Sequence, residues 1–573
     1  MTHGMRKGLT SYGDADFSLF LRKAFIKAMG LSDDALSRPV VGIANTFSDY
    51  NPCHGNVPKL VDAIKRGVML AGALPMEFPT ISVHESFAHP TSMFLRNLMA
   101  MDTEEMIRAQ PMDAVVLIGG CDKTIPAQMM ACASADVPAV IVPVGPMLVG
   151  NYQGEQLGAC TDCRRLWGEH RGGRITAHEI ERINERLAPT PGTCMVMGTA
   201  STMACIIEVM GLALPRSATI PATHADRLRS AEASGQFAAA MAVNGTPKPS
   251  ALLTKASFRN AMVIMQAIGG STNALVHLTA AAGRLGIKID LDEFDRLGRE
   301  VPVLVDLKPS GRHYMEHFHW AGGVPRLMRE LEDLLDLEVP TVMGGTLRDY
   351  MEAAEDVPSQ DVIRTRANPI KNCGSIAVLR GNLAPRGAII KQSAASPELM
   401  VHTGRAVVFE SVKDLTERID DPGLDVKADD VLVLRNAGPR GAPGMPEAGY
   451  LPIPRKLGAL GVKDMVRISD ARMSGTAFGT IVLHITPESA VGGPLGLVRN
   501  GDLVALDVTQ RTIDLLVPEP ELARRRGLAA ARPNPDAAPV PDRGYAALFH
   551  RTVLQADEGC DFDFLVPGRS MDK

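Results

Sequence analysis

The stretch AVVLIGGCDKTIP, residues 114–126, joins an apolar run to a glycine turn and three reactive side chains. The apolar run is typical of a buried parallel strand, the glycine pair lets the chain turn, and the proline fits the first turn of a helix. In open α/β sheets, ligands bind at such strand-to-helix turns. The segment therefore predicts an α/β sheet whose ligand site includes Cys121, Asp122 and Lys123.

Three further loops have a similar pattern. The apolar run 40–44 leads to NTFSDYNPCHGN with Cys53, the run 78–83 leads to Glu85, and PGTCMVMGTASTMA places Cys194 just before a segment that resembles a buried helix. If the strands are parallel neighbours, these loops and the CDK turn converge on one edge of the sheet.

The second half has a different texture. Short runs rich in Val, Ile and Leu, such as GSIAVLRG, RAVVFES and DVLVLRN, alternate with Gly, Pro and Asp, which favours a β-rich barrel or sandwich. The length of 573 residues exceeds what one core usually spans, so two domains are expected. We predict an α/β domain at 1–370 and a β-rich domain at 371–573, with a hinge near 368–374.

Composition excludes several classes of protein. A net charge of −5 gives no sign of binding to nucleic acid or to an anionic membrane, and 45% hydrophobic with 22% charged residues is typical of a globular protein. No charged and then apolar leader opens the sequence, so we expect a cytoplasmic protein. Nine cysteines do not indicate a disulfide framework, and some should be thiols that bind a metal.

The isolated thiols of Cys53, Cys121 and Cys194 suit zinc or an iron–sulfur cluster. A cluster held by three cysteines leaves one iron site free to act as a Lewis acid. The alternative for any lone cysteine is a small core residue. That is the favoured interpretation for Cys132, Cys205 and Cys560, whereas Cys373 is either structural or close to the site.

Cys160 and Cys163 form a C-x-x-C in GACTDCRR. A single C-x-x-C without a second pair is weak evidence for zinc, and no nearby residue supplies further ligands. We interpret the pair as a surface or interface feature and regard a redox role as the second choice.

Hard ligands accompany the thiols. Glu85 and Asp122 offer carboxylate oxygens, which suit Mg²⁺. Lys123 would become a ligand only if deprotonated, or if carbamylated to an anionic oxygen donor, because an ammonium offers only donors. Asp122 and Lys123 could also be a solvated pair at a helix terminus, but the glycine turn after a buried strand favours a site.

Two segments of the second half present candidate functional groups. RNAGPRGAPGMPEAGY, residues 435–450, surrounds Glu447 with Gly and Pro, as expected for a rigid loop. RISDARMSGTAFGT, residues 467–480, offers Ser474 and Thr476, although a turn serine is the ordinary interpretation of Ser-Gly. No G-x-S-x-G elbow is present, which argues against a hydrolase triad.

Several ordered motifs together resemble one family. GGCDKTIPAQMMA, NPCHGN, PGTCMVMGTASTMA, AIGGSTNALVHL, IAVLRGNLAPRGAIIKQSA, GPRGAPGMPEAG and SDARMSGTAFG are similar to the dihydroxy-acid and sugar-acid dehydratases, which include 6-phosphogluconate dehydratase. The resemblance implies an N-terminal parallel-sheet α/β/α domain, a C-terminal β-barrel-like domain, and assembly as a homodimer or homotetramer. It also implies that Cys53, Cys121 and Cys194 hold a 2Fe-2S cluster, although some members carry 4Fe-4S.

The resemblance assigns the remaining site residues. Glu85, Asp122 and Glu447 match the family's Mg²⁺ ligands, Lys123 matches its carbamylated lysine, and Ser474 matches the serine proposed as general base. The implied activity is that of a hydro-lyase, which dehydrates 2,3-dihydroxy acids to 2-keto-3-deoxy acids.

The substrate is expected to be a sugar acid. Ser-Asp-Ala-Arg at 469–472 and Ser-Gly-Thr at 474–476 stand where branched-chain amino-acid enzymes tend to have Thr-Asp-Gly-Arg and Ser-Gly-Gly. These differences resemble the aldonate branch acting on pentonates or hexonates, and 2,3-dihydroxyisovalerate is the alternative substrate. Thr476 could orient Ser474 or hold a substrate hydroxyl. Four histidines could line a polyol pocket or be structural: His84, His89, His317 and His319.

Two other functions remain open from the residues. One is a Mg²⁺-only dehydratase of the enolase type with structural cysteines. The other is a zinc-stabilised binding protein that uses the C-x-x-C pair.

Overall fold

The computed structural model describes residues 3–9, 12–531 and 540–568. Its larger β-structures are an open four-stranded parallel sheet in the N-terminal half and a closed eight-stranded barrel in the C-terminal half. The predicted fold class is therefore confirmed. The exact boundary between the halves, placed at residues 370 and 371 from the sequence, stays a prediction.

The parallel sheet brings the predicted loops to one edge. Its strands, in the order β2-β1-β3-β4, are β1 Val40–Asn45, β2 Leu74–Pro79, β3 Ala114–Gly119 and β4 Ala139–Pro143. All neighbouring pairs are parallel. The central strand β3 and the edge strand β4 are both buried along their whole length, as expected for a parallel sheet covered by helices on both faces. β2 starts and ends earlier than the predicted run 78–83, so Glu85 lies on a longer loop.

Helices surround this sheet and fill the rest of the N-terminal half. They are α1 Ala15–Lys27, α2 Asp33–Ser37, α3 Val57–Leu70, α4 Ser92–Ala109, α5 Thr124–Ala135, α6 Thr161–Arg171, α7 Ala177–Leu187, α8 Thr199–Val209, α9 Ala225–Asn244, α10 Pro249–Leu252, α11 Lys255–Ala267, α12 Thr272–Arg284, α13 Leu291–Glu300, α14 Met315–Trp320, α15 Gly323–Glu330 and α16 Leu347–Glu352. The helix predicted after Cys194 is α8, and every one of its residues is buried.

A small excursion follows β4 and carries the C-x-x-C pair. It contains the hairpin β5 Gly150–Tyr152 and β6 Glu155–Leu157, followed by α6 and α7. The hairpin was not predicted because each strand has only three residues, too few to show a period-two pattern.

The barrel is built from strands β7 Ala377–Gly381, β8 Ala384–Ile390, β9 Val401–Phe409, β10 Val431–Leu434, β11 Arg467–Ser469, β12 Ile481–Thr486, β13 Leu503–Asp507 and β14 Thr512–Leu515. It closes in the order β10-β11-β12-β8-β7-β14-β13-β9, which leaves no open strand edge. The residue pattern alone was compatible with a barrel or a sandwich, and the family resemblance implied the barrel. The strand β14 was not predicted. Helices α17 Val412–Arg418, α18 Arg455–Ala459, α19 Glu519–Ala531 and α20 Gly544–Thr552 complete this half.

The two halves are joined by buried polar contacts. The end of the chain returns to the N-terminal half, where Tyr545 donates a hydrogen bond to the carbonyl of Phe94 at 2.6 Å and Arg284 pairs with Asp561 at 2.5 Å. In the described part of the chain, no helix is both long and apolar enough to cross a membrane.

Candidate active site

The turn after β3 is held by a buried histidine. His54 accepts hydrogen bonds through Nε2 from the backbone N–H groups of Gly120 at 3.1 Å and Cys121 at 3.0 Å. Its Nδ1 therefore carries the proton and donates to the carbonyl of Thr46 at 2.7 Å. Burial lowers the pKa of His54 to about 4, so the ring stays neutral and keeps this pattern of donor and acceptor.

The three predicted cluster cysteines come together at this turn. Cys53 and Cys121 are 5% and 3% exposed, and their thiols are hydrogen-bonded. The hydrogen bond to Cys121 and the burial of the thiol raise the pKa of Cys53. Cys194 lies within electrostatic reach of both. Cys194 does not directly follow a strand of the sheet. Its loop reaches the end of β4 instead, through the bridge between Pro146 and Thr193.

The predicted carboxylate ligands also meet. Oxygen atoms of Glu85, Asp122 and Glu447 lie within 4.8 Å of one another, although the three residues come from the loop after β2, the turn after β3 and a loop of the second half. Carboxylate oxygens at this spacing suit a hard divalent cation such as Mg²⁺. Lys123, whose side chain is fully buried, contacts Asp122 directly and lies 3.8 Å from Glu85.

Arg472 links the acidic ligands and was not identified as a site residue from the sequence. Its Nη1 lies 2.6 Å from Glu447 Oε1, and its Nη2 lies 3.3 Å from Glu85 Oε1 and donates to Thr91 Oγ1 at 2.7 Å. Only 1% of the Arg472 side chain is exposed, so its guanidinium pairs with the buried carboxylates of Glu85 and Glu447 and not with solvent. Its signal in the sequence was the SDARMSG motif, where only Ser474 received a role.

The pKa values of Glu85 and Glu447 shift in opposite directions because the surroundings of the two carboxylates differ. Burial opposes ionisation of Glu85, but Arg472 and Lys123, together with hydroxyl groups of Ser92 and Thr91, hold its pKa well below the usual value. Burial raises the pKa of Glu447, and Arg472 only partly offsets that effect.

Ser474 lies in a turn shared with Thr476. The two hydroxyl oxygens are 2.8 Å apart. A Cβ atom on the intervening Gly475 would lie 2.5 Å from Ser271 Oγ and 2.8 Å from the backbone nitrogen of Thr199, so only glycine fits there.

Contacts with the N-terminal half place the serine turn beside the thiols. Thr161 Oγ1, at the start of α6, donates to the carbonyl of Thr476 at 2.9 Å, and Asn273 Nδ2 donates to the carbonyl of Met473 at 3.0 Å. A Cβ on Gly198, four residues after Cys194, would lie 2.8 Å from Thr476 Cγ2. The turn thus packs directly on the segment that carries Cys194.

Lys391 lies beneath the serine turn and was also missed. It is 1% exposed, and its Nζ donates to the carbonyl of Gly475 at 3.4 Å. Burial alone lowers the pKa of Lys391 to about 7. In the sequence it lies in IAVLRGNLAPRGAIIKQSA, which contributed to the family resemblance without a residue role.

The interpretation of the C-x-x-C pair as a surface or interface feature did not include a contact with the predicted site, and the structure shows one. Cys160 Sγ lies 3.6 Å from Cys194 Sγ, and both cysteines of the pair are partly buried with Cys194 in one small apolar cluster. The sequence could not show this contact, because the loop from the end of β4 returns to the sheet only through tertiary packing. Cys132, Cys205 and Cys560 are buried as predicted.

The histidines divide into two groups. A ring nitrogen of His84 lies within 4.8 Å of the thiols of Cys53 and Cys121, so this residue belongs to the site. His319 instead contacts Thr219, and His317 accepts a hydrogen bond from the backbone of its neighbour Tyr314, which are contacts outside the site. His89 is exposed.

Comparison with known proteins identifies the family of the chain. Family models described as the N-terminal and C-terminal parts of the dihydroxy-acid/6-phosphogluconate dehydratases match residues 38–350 and 361–560. The chain belongs to this family. It is therefore a dehydratase, an enzyme of the hydro-lyase class, and the resemblance drawn from the motifs is confirmed.

Individual relatives differ in similarity. The chain is 47% identical over 567 residues to an L-arabonate dehydratase of Azospirillum brasilense, covering 97% of this chain and 96% of the relative. It is 44% identical over 563 residues to a 6-deoxy-6-sulfo-D-gluconate dehydratase of Pseudomonas putida, covering 96% and 95%. A dihydroxy-acid dehydratase of Moorella thermoacetica is 37% identical over 545 residues, covering 94% and 97%.

Proposed function

We propose that this hydro-lyase dehydrates sugar acids, specifically pentonates or hexonates, to 2-keto-3-deoxy acids. The observation that carries the proposal is the junction at the CDK turn, where Cys121 Sγ lies 3.5 Å from Asp122 Oδ1. This contact joins a group of soft thiols to a group of hard carboxylates, so one substrate could be held by both. The higher identity to relatives named for aldonates supports the choice of substrate class.

The donor sets fit the groups that the family implies. Cys53, Cys121 and Cys194 provide the three thiols that the family resemblance assigns to the cluster, and three protein ligands suit an iron–sulfur cluster with one open iron position. We favour 2Fe-2S over 4Fe-4S. Glu85, Asp122 and Glu447 provide oxygen ligands for Mg²⁺. When bound, the two groups supply Lewis acidity to the hydroxyl and carboxylate oxygens of the substrate.

Lys123 completes the oxygen set if it is carbamylated. Its amine is fully buried beside Asp122 and Glu85, and a carbamate would replace a buried cation by an anionic oxygen donor. Labelled bicarbonate tests this step. A carbamate carbonyl resonance that is absent from Lys123→Met is the expected result, and an identical spectrum for both proteins would contradict the modification.

The residues of the serine turn perform the proton transfer. Ser474 Oγ, once it has lost its own proton, is the alkoxide that takes the proton from C2. Thr476 Oγ1, at 2.8 Å, orients this oxygen and donates a hydrogen bond that stabilises its negative charge before the transfer. The departing C3 hydroxide then takes the proton from Ser474 and leaves as water, which restores the alkoxide. Lys391 holds the turn from below through the Gly475 carbonyl. Loss of the C2 proton and the C3 hydroxyl gives an enol that tautomerises to the 2-keto-3-deoxy acid, so water is released without net redox change.

Two experiments test the function. Anaerobically purified protein should show visible absorption, contain iron and sulfide in cluster stoichiometry, and form 2-keto acids from aldonates. Cys121→Ser should lose the absorption, whereas Cys132→Ala, which changes a buried cysteine away from the site, should keep it. Colourless, iron-free protein with full activity would refute the cluster.

A substrate panel and one variant complete the test. Pentonates and hexonates should be preferred over 2,3-dihydroxyisovalerate, and the reverse preference would indicate the branched-chain reaction instead. Ser474→Ala should keep the cluster spectrum and lose turnover, and an unchanged rate would remove Ser474 from the role of base. Size measurement in solution tests the expected homodimer or homotetramer.

A further inference from the structure

Cys194 has a thiol partner that belongs to none of the proposed metal sites. Its Sγ lies 3.6 Å from Cys160 Sγ, and the Cys160 thiol also forms a hydrogen bond with that of Cys163. Cys160 precedes the first residue of α6 and Cys163 is in its first turn. Cys160 therefore stands between the other two sulfur atoms.

The three cluster thiols are not equivalent in this respect. Cys53 and Cys121 are hydrogen-bonded to each other and can protect one another by forming a disulfide if the cluster is lost. Cys194 is the third cluster thiol, and its thiol contact is with Cys160. A thiol without a partner oxidises beyond the sulfenic acid to irreversible products.

The surroundings favour exchange within this group of three. The Cys160, Cys163 and Cys194 side chains share a small apolar cluster with Met147, Met195, Val196 and Tyr314. A disulfide requires about 2.05 Å between sulfur atoms, so rotation about side-chain bonds can convert a 3.6 Å contact into a bond without a large backbone shift.

We propose that Cys160 and Cys163 form a dithiol relay that returns Cys194 to its reduced state after oxidative loss of the cluster. This inference rests on the proposed role of Cys194 as a cluster ligand. The oxidant is hydrogen peroxide, which converts the Cys194 thiol to a sulfenic acid and is itself reduced to water. The Cys160 thiol condenses with the sulfenic acid, which forms the Cys160–Cys194 disulfide and releases a second water.

Exchange then frees the ligand. Cys163 attacks Cys160 as a thiolate, the Cys160–Cys194 bond breaks, and Cys194 leaves as a thiolate that takes up the proton lost by Cys163. Overall, two thiols and one peroxide give the Cys160–Cys163 disulfide and two waters. An external dithiol reductant resets the pair, and Cys194 is again available to hold iron.

The test starts from the holoenzyme treated with hydrogen peroxide until its visible absorption is lost. Free thiols are alkylated and tryptic peptides are examined by mass spectrometry without reduction. Cys160 and Cys163 lie in the peptide 124–164, and Cys194 lies in 187–216, so an internal disulfide and a cross-link are distinguished by mass.

Each variant has its own expected product. Wild type should carry the Cys160–Cys163 disulfide with Cys194 free, and Cys163→Ser should stop at the Cys160–Cys194 cross-link. Cys160→Ser should contain Cys194 sulfinic or sulfonic acid and, after a dithiol reductant, iron and sulfide are added, should recover severalfold less cluster absorption than wild type. Cys132→Ala, changed within the same peptide, should behave as wild type.

Two outcomes would overturn the relay. One is equal over-oxidation of Cys194 in wild type and Cys160→Ser, and the other is a Cys160–Cys194 cross-link that persists in wild type. Failure of the proposed function has a different signature, because protein without iron would show no absorption before treatment. The peptide mapping would still report which thiols pair in that protein.

Discussion

Replacement of Lys391 by methionine should stabilise the folded protein and slow the enzyme. The Lys391 side chain is fully buried beneath the Ser474 turn, and burial alone sets its low pKa. Methionine has a similar length and volume but no charge, so the replacement removes the cost of burying an amine while leaving the packing nearly unchanged. Turnover should fall because the Gly475 carbonyl loses the donor that anchors the turn.

The size of the stabilisation depends on pH. The gap between an ordinary lysine pKa of 10.5 and about 7 in the folded protein corresponds to a destabilisation of about 5 kcal/mol below pH 7. Between these two values the unfolded chain binds the extra proton, so wild type gains stability as the pH rises and the cost disappears above the unfolded pKa. Loss of the donor to Gly475 costs the variant about 1–3 kcal/mol. We therefore expect the variant to be more stable by about 2–4 kcal/mol near pH 6.5, with no advantage near pH 9.5.

Urea unfolding of the cluster-free proteins under reducing conditions measures this difference, with circular dichroism as the readout at both pH values. Lys413→Met, which changes an exposed lysine of the same half, is the matched control and should leave the midpoint unchanged. A Lys391→Met protein no more stable than wild type at pH 6.5, or a difference that does not vary with pH, would refute the reasoning.

Three further predictions concern the polar residues of the site. His54→Leu should lower the iron content per chain because the backbone donors at Cys121 lose their acceptor, whereas the exposed His178→Leu should not; equal iron in both variants would contradict the role of His54. Arg472→Met should destabilise the metal-free protein by about 3–5 kcal/mol because buried carboxylates lose their cation, and Mg²⁺ should restore more stability to it than to wild type in thermal unfolding; an equal effect of Mg²⁺ would argue against a shared acidic site. Thr476→Val should reduce kcat by about 10-fold to 100-fold with an unchanged cluster spectrum, because a hydrogen bond to a charged oxygen contributes about 1.5–3 kcal/mol. A raised KM with normal kcat would instead place Thr476 on a substrate hydroxyl and not on Ser474.

Local sequence patterns were sufficient for the residues that follow a strand or lie in a rigid loop. Cys121 and Asp122 come directly after a buried run and two glycines, and Glu447 is the single carboxylate in a segment rich in Gly and Pro. For such residues, the sequence pattern that indicates a site lies within a few residues of the side chain itself. The strand pattern of the second half predicted most of the barrel for the same reason. The strand β14 was missed because Thr512 and Asp514 alternate with its two apolar residues, so it shows no apolar run.

Contacts between distant segments could not be read from the sequence. Arg472 and Glu85 are 387 positions apart, and their pairing depends on how the barrel packs on the parallel sheet. The contact between Cys160 and Cys194 was not predicted because a C-x-x-C pattern reports only its own two thiols. The third thiol, that of Cys194, approaches because the chain returns to the end of β4. The burial of a polar side chain such as Lys391 also could not be predicted from the sequence. The free-energy cost of burying its amine depends on tertiary packing, which no local pattern determines.

The way the site is divided between the two halves separates two requirements of the reaction. The spacing between soft and hard ligands is set within one turn, by the adjacent Cys121 and Asp122, and relative movement of the halves cannot alter it. Ser474, the proposed base, and Glu447, the third carboxylate, belong to the second half. The contact between Thr161 and Thr476 and the ion pairs of Arg472 hold them against the first half. If the proposed roles hold, substitutions at that interface should impair proton transfer and change substrate preference, while the group formed by Cys53, Cys121 and Cys194 stays intact.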